Sequence, residues 1–291
     1  MKGAVAMFAA MHSWSFRDRF KSDPAFTIFN CLDLTAEMGF TAIEIMAGKA
    51  GTPAGDLGSD DPAHLAKVMA HSAKRGIKVL CLSTYNDFAF VANEEWRLAN
   101  IAYIKEWLAI AGSLGVPNIR MLTGYYNDKA PREKLEQLTR EGIIECLPHA
   151  ERAGVNMAIE NHNSIFMQAD EILELINSLG SKRLTACPDP SNWAGKEYWE
   201  PGAPREIKEK VIAGTAKLAP KATQSHLKIK GAPVDGKLIG HGDDLLTLLR
   251  SYRDANYTGG IAFESIGEGD LLAPLASARE VVESAIRTVE K

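Results

Sequence analysis

The sequence predicts an α/β chain whose strands close into a single-domain (β/α)8 TIM barrel, and three observations carry that reading. Short apolar runs alternate with amphipathic stretches from one end to the other, eight of each. Glycine marks the joint between helix and following strand in MGFTAIEI, RGIKVLCL, LGVPNIRM and AGVNMAIE, where a left-handed cap ends the helix and a buried run begins at once. No Pro- or Ser-rich linker and no low-complexity segment interrupts the series, so residues 1–291 read as one domain. Repeated βα units imply a parallel sheet, and eight is the number that closes it. A doubly wound open sheet is the alternative. The chain has no G-x-G-x-x-G after its first apolar run and no G-x-x-x-x-G-K-S/T anywhere, which weakens a dinucleotide or phosphate-loop reading.

The expected strands are 4–11, 42–46, 78–83, 118–122, 155–160, 184–188, 225–229 and 260–264. Between them lie helical stretches at 24–38, 62–75, 94–114, 131–153, 169–179, 205–218, 243–255 and 271–289. Asp23 before Pro24 and Asp61 before Pro62 read as caps with proline at the first helical position, and Gly39 and Gly76 follow the corresponding ends.

Composition narrows the function. Hydrophobic residues make up 46% and charged residues 24%, which excludes disorder, collagen and coiled coil. With 33 Lys+Arg against 37 Asp+Glu, the chain has no footprint for a phosphate-backbone binder, so a nucleic-acid partner is not expected. Cys31, Cys81, Cys146 and Cys187 form no C-x-x-C pair, and reduced thiols fit a cytoplasmic protein. The start, MKGAVAMFAAMHSW, faintly imitates a signal peptide but reads as a first buried strand, and no segment is apolar for long enough to span a membrane. A homo-oligomer is compatible with the sequence.

In such a barrel the chemistry sits where strands end, because the βα loops converge there. Strand 1 runs into His12, strand 2 carries Glu44, and strand 4 carries Arg120. Strand 5 ends in Glu160-Asn161-His162-Asn163, strand 6 in Asp189-Pro190-Ser191-Asn192-Trp193, strand 7 carries His226 and Lys228, and strand 8 ends in Glu264-Ser265. A carboxylate inside an otherwise apolar strand must be paired or bound to a metal. Glu160, Asp189, His226 and Glu264 end four consecutive strands and can converge on one point. Three carboxylates and an imidazole suit one divalent ion, Mn²⁺ first, with Mg²⁺, Co²⁺ or Zn²⁺ as alternatives. The competing reading is four separate structural groups that cap loops or pair with Arg and Lys.

At these residues the sequence resembles the xylose-isomerase-like TIM barrels of sugar isomerases and epimerases. The resemblance is carried by AIENHN (158–163), CPDPSNW (187–193), SHLKIK (225–230), DGKLIGHGD (235–243) and GIAFES (260–265), and with MGFTAIEI and LGVPNIR it spans nearly the whole chain. It implies Glu160, Asp189, His226 and Glu264 as ligands of one metal. Ketose 3-epimerases of that family tend to carry Glu six residues after the first ligand, His three after the Asp and Arg six after the His. Here those positions hold Phe166, Asn192 and Ala232. Endonuclease IV shares the barrel, but Asn192, Val234 and Gly236 stand where its additional metal ligands would be.

The expected activity is isomerisation or epimerisation of a small sugar or polyhydroxy-ketone substrate, by proton abstraction α to a carbonyl through an enediolate. Glu160 and Glu264 are the expected proton-transfer pair. His162, Asn192, Lys228 and Arg120 are the expected substrate contacts, with an ion pair to a neighbouring carboxylate as the rival reading for Lys228. Trp14, Phe16 and Trp193 could line a sugar face or simply pack. Cys187 reads as a small buried thiol, Glu44 is left open between a rim residue and a structural ion pair, and His241 is assigned to the loop capping the next helix. A metal-dependent dehydratase of a keto-cyclitol or related compound, such as inosose or dehydroshikimate, is the alternative, and a barrel that binds sugar without reacting is a third.

Overall fold

A computed structural model describes residues 7–49, 55–125, 129–162, 164–200, 202–267, 269 and 271–291. Residues 4–6 of the first expected strand, and Asn163, lie outside them. The strands are β1 (Phe8–His12), β2 (Ala42–Lys49), β3 (Lys78–Tyr85), β4 (Asn118–Met121), β5 (Asn156–Glu160), β6 (Leu184–Cys187), β7 (Ser225–Ile229) and β8 (Gly260–Ser265). The helices are α1 (Arg17–Ser22), α2 (Ile28–Glu37), α3 (Pro62–Lys74), α4 (Glu94–Leu114), α5 (Arg132–Ala153), α6 (Ala169–Leu179), α7 (Arg205–Leu218), α8 (Leu245–Asp254) and α9 (Leu272–Val289). All seven ladders are parallel, in the order β6-β5-β4-β3-β2-β1-β8-β7. Between β6 and β7 the amides of Thr223 and His226 donate to the carbonyls of Ala186 (3.1 Å) and Pro188 (3.0 Å). Those bonds join the two outer strands of the curled sheet and make it a (β/α)8 barrel.

Two layers cover the strands because their side chains alternate in direction. Ile43, Ile45, Met157, Ile159, Ile261 and Phe263 belong to the large core shared with the helices. Ala10, Ala42, Leu80, Cys81 and Ala262 form a separate small cluster inside the barrel. Two residues after several of these small groups, each strand carries a buried polar one: His12, Glu44, Ser83 and Glu264. The interior is thus apolar below and polar above, at the strand ends.

Most helix bounds agree with the sequence, and Gly115 and Gly154 end α4 and α5 in the left-handed conformation (φ 69° and 71°). The stretch expected at 24–38 is a correction. Its helix starts at Ile28, after a capping box in which Thr27 N donates to Asn30 Oδ1 at 2.9 Å. Asp23 and Pro24 belong to a turn instead, closed by Phe26 N donating to the Asp23 carbonyl (3.0 Å). The last two units are also offset: a 3-10 turn (Gly242–Asp244) precedes α8. Among the described residues, no helix is long and apolar enough to cross a membrane.

Candidate metal and active site

The four expected ligands come together at the strand ends. Glu160 is the last residue of β5, and Asp189 lies two residues beyond β6. A reciprocal pair fixes Asp189: its N–H donates to Asn161 Oδ1 (2.7 Å) while Asn161 Nδ2 donates to its carbonyl (2.8 Å). Its Oδ1 accepts from Ser191 N (3.1 Å) and Ser191 Oγ (2.9 Å), which caps a 3-10 turn (Pro190–Trp193) and leaves Oδ2 to accept from Lys228. One donor atom from each of Glu160, Asp189, His226 and Glu264 lies within 4.8 Å of the others. All four residues are buried, Glu264 the least so at 7% exposed.

His226 sits at the centre. Its Nδ1 is 3.3 Å from Oε1 of both Glu160 and Glu264, and its Nε2 is 3.1 Å from Oε2 of Glu44. Glu44 is wholly buried. It also accepts from Ser83 Oγ and Gln224 Nε2, and its Oε1 lies 3.4 Å from His12 Nε2. The backbone N–H of Trp14 donates to His12 Nδ1 (3.0 Å), so the His12 proton is on Nε2, toward Ser83 Oγ at 3.1 Å. Burial opposes the charge on Glu44, but His226 and His12 outweigh it and hold the carboxyl well below the usual range. Burial likewise opposes a proton on His226, yet Cys187, Glu44, Glu264 and Glu160 raise its pKa well above the histidine value.

The expected substrate contacts fall into two groups. Arg120 is 1% exposed and turned toward Glu160, with Nε 3.2 Å from Oε2, Nη1 donating to the Thr84 carbonyl (2.6 Å) and its guanidinium 4.9 Å from the Tyr85 ring centroid. Burial disfavours ionised Glu160, but Arg120 and then His226 hold its pKa well below the usual value. Lys228 donates to Asp189 Oδ2 and to Asn192 Oδ1 (2.6 Å), with Glu264 Oε2 at 3.7 Å. Its burial is outweighed by Asp189 and Glu264, which raise its pKa. Asn192 Nδ2 donates to Glu160 Oε1 (3.2 Å), so Asn192 links the β5 and β7 sides of the site. His162 differs: among the described residues its buried Nδ1 has no hydrogen-bond partner, and its ring lies 6.3 Å from that of Tyr85.

A model of the xylose isomerase-like TIM barrel family matches residues 32–288. The chain belongs to this family. Solved structures share the barrel at low identity. An L-ribulose 3-epimerase superposes with a TM-score of 0.73 at 16% identity, covering 97% of this chain and 95% of that one. A 3-keto-D-glucoside 4-epimerase from E. coli gives 0.69 at 16%, covering 98% and 99%. A xylose isomerase-like TIM barrel protein from Mycobacterium smegmatis, solved in complex with magnesium, gives 0.70 at 18% over 100% of both chains. No curated protein sequence matches the chain.

Within this family member the donor set fits a divalent cation by charge as well as by type. Four buried carboxylates (Glu44, Glu160, Asp189 and Glu264) face two permanent cations, Arg120 and Lys228. With the His226 proton released so that its nitrogen can bind a cation, two negative charges remain to match one divalent ion, and oxygen donors with one imidazole suit such an ion. The Nε2–H of His226 donates to Glu44, which directs Nδ1 at the space between Glu160 and Glu264.

Of the aromatics left open between lining a sugar face and packing, Trp193 and Phe16 pack. Trp193 Nε1 donates to the Met167 carbonyl (2.9 Å), and its ring packs over Gly214, where a Cβ would meet it at 2.7 Å. Phe16 is buried in the core at 3% exposed, while Trp14 stays partly open at 37%. His241 does not cap the following turn with its side chain; it is buried between the Tyr198 hydroxyl (2.9 Å) and the Lys228 carbonyl (3.1 Å). Glu44, Ser83, Gln224 and His12, which hold His226 from behind, were not among the expected site residues.

Proposed function

We propose that the chain is a divalent-metal-dependent isomerase or epimerase of a sugar or keto-sugar. The observation that carries this reading is the placement of Glu160 and Glu264 on either side of one imidazole nitrogen, each with an oxygen 3.3 Å from it. Family membership and the epimerases among the structural neighbours support the same class. Glu160, Asp189, His226 and Glu264 would hold the ion, which supplies Lewis acidity toward a carbonyl oxygen when bound.

The chain's own groups divide the proton work. Glu264, the most exposed of the four, takes the proton from the carbon next to the carbonyl. Glu160 is kept ionised by Arg120, so it must first take a proton from solvent before giving it to carbon on the other face, while Glu264 releases its own to solvent; in an isomerisation Glu264 itself returns the proton to the adjacent carbon. Lys228 and Asn192 hold Asp189 and Glu160 in place from the β7 side. His162 offers an unspent nitrogen to a substrate hydroxyl. One feature favours the dehydratase reading: Phe166 is buried at 3% exposed, with the Arg140 guanidinium 5.4 Å over its ring, so it offers no polar group to a ketose.

Proton NMR in D₂O tests the proposal, using Mg²⁺-loaded and chelator-treated protein with ketohexoses, hydroxypyruvate, inososes and dehydroshikimate. Metal-dependent loss of a C–H signal α to a carbonyl is expected, and the product separates epimerase, isomerase and dehydratase. A loaded protein that binds these compounds yet exchanges no such proton overturns the reading.

A further inference from the structure

We infer that a cleft beside the metal centre, walled by Tyr85, Phe90, Trp96 and Tyr125, is a subsite for a second ring carried by the reacting sugar. This rests on the proposed reaction and names its substrate class: a keto-sugar bearing a ring-shaped substituent, rather than a free monosaccharide.

The cleft adjoins the site through Tyr85. Tyr85 ends β3 at the mouth of the barrel, with its ring 4.9 Å from the Arg120 guanidinium that pairs with Glu160 and 6.3 Å from the His162 ring. A bound sugar that reaches His162 therefore has the Tyr85 ring as its next neighbour. The cleft holds about 510 Å³, within the ~300–1,000 Å³ range of small-molecule sites.

Two of its polar side chains, Asn86 and Asn100, are spent on building it. Asn86 Nδ2 donates to the Leu122 carbonyl (2.7 Å) and its Oδ1 accepts from Leu122 N (3.0 Å). Asn100 Oδ1 accepts from Asp87 N (2.9 Å), and its Nδ2 donates to the Trp96 carbonyl (2.8 Å). Asp87 Oδ1 accepts from Ala89 N (3.0 Å) and Tyr125 N (3.3 Å). These bonds tie the loop after β3 to β4 and α4. Trp96 and Tyr125 are each 38% exposed although both line a concave wall. A slot walled by four aromatic rings, with both asparagine amides engaged, selects a flat partner with an apolar face: an aryl group, or the C–H face of a second pyranose.

Calorimetry on Mg²⁺-loaded protein distinguishes these with methyl β-D-glucopyranoside, phenyl β-D-glucopyranoside and cellobiose as probes. At least one two-ring probe is expected to bind about tenfold tighter than the methyl glycoside. A gain for phenyl alone assigns an aryl group, and a gain for cellobiose assigns a sugar ring. Trp96→Ala and Tyr125→Ala should each remove the preference, whereas Ile144→Ser, on exposed surface of α5, should keep it. Equal or absent binding of all three probes overturns the subsite, as does a preference that survives both aromatic variants. Sedimentation showing that Trp96→Ala dissociates a dimer overturns it too, by giving the cleft to a second copy. Ring preference without proton exchange in D₂O leaves the subsite standing and removes the reaction; exchange without preference does the reverse.

Discussion

Nε2 of His226 lies 3.1 Å from Oε2 of Glu44, a contact that crosses the barrel interior from β7 to β2. It settles which way the imidazole faces, since the opposite nitrogen then points between Glu160 and Glu264. Gln224, two residues before His226 on the same side of the chain, donates to the same Glu44 oxygen and braces the pair. The four strand-end donors are thereby backed by a layer of wholly buried groups.

Glu44→Gln should weaken binding of Mn²⁺ or Co²⁺ by about 10–100-fold, because the amide orients His226 less firmly and removes a charge behind it. Titration calorimetry and the visible spectrum of the Co²⁺ form read this directly. An unchanged dissociation constant and spectrum would sink the orienting role.

Arg120→Met should destabilise the metal-free protein by about 3–5 kcal/mol, since it leaves Glu160 buried without its cation. Adding Glu160→Gln to Arg120→Met should recover part of that loss, because the stranded charge is then gone. Urea denaturation of the two single variants and the double variant measures the coupling; strict additivity would refute it.

Proton transfer and metal binding should separate by residue. Glu264→Gln is expected to slow C–H exchange by about 10²–10⁴-fold. His226→Ala and Asp189→Ala should instead lower the metal content of the purified protein, measured by elemental analysis, with exchange partly restored by excess Mg²⁺. Full exchange in Glu264→Gln would remove Glu264 from the proton path.

His241 makes the fold sensitive to acid. Its Nε2 faces the Lys228 carbonyl and so carries the proton, and Nδ1 accepts from the Tyr198 hydroxyl. Burial, foremost, pushes its pKa down from 6.5 to about 4. The unfolded chain takes up this proton first, so the stabilisation is complete above pH 6.5 and fades as pH falls toward 4. At pH 5 the loss amounts to about 2 kcal/mol. Denaturation curves at pH 7.5 and 5.0 should show that His241→Gln loses less stability between them than the parent chain; equal losses would contradict the assignment.

The layering that positions the site was partly legible in the sequence. Ala158-Ile159-Glu160 and Ala262-Phe263-Glu264 place a small inward residue two before an inward acid, and both glutamates drew attention as isolated carboxylates in apolar strands. Ala10-Met11-His12 and Ala42-Ile43-Glu44 repeat that pattern, and reading it would have put His12 and Glu44 in the same buried layer. The start of α2 misled for a local reason: Asp23-Pro24 is an equally good turn, and the Thr27–Asn30 capping box competes with it. The aromatic cleft gave no signal, because Tyr85 and Trp96 of the third βα unit meet Tyr125 of the fourth only in the closed barrel.

The sequence by itself determined the alternation of strand and helix, the parallel barrel, and the four donor residues at successive strand ends. These follow from hydrophobic period and cap chemistry, which act over a few neighbouring residues. Only the tertiary structure decided that Lys228 pairs with Asp189, that Arg120 turns to Glu160, and that Glu44 reaches across the barrel to His226. Each of these depends on which charges the closed barrel buries together, and a buried charge takes whichever opposite partner the fold places nearest, however far apart they lie along the chain.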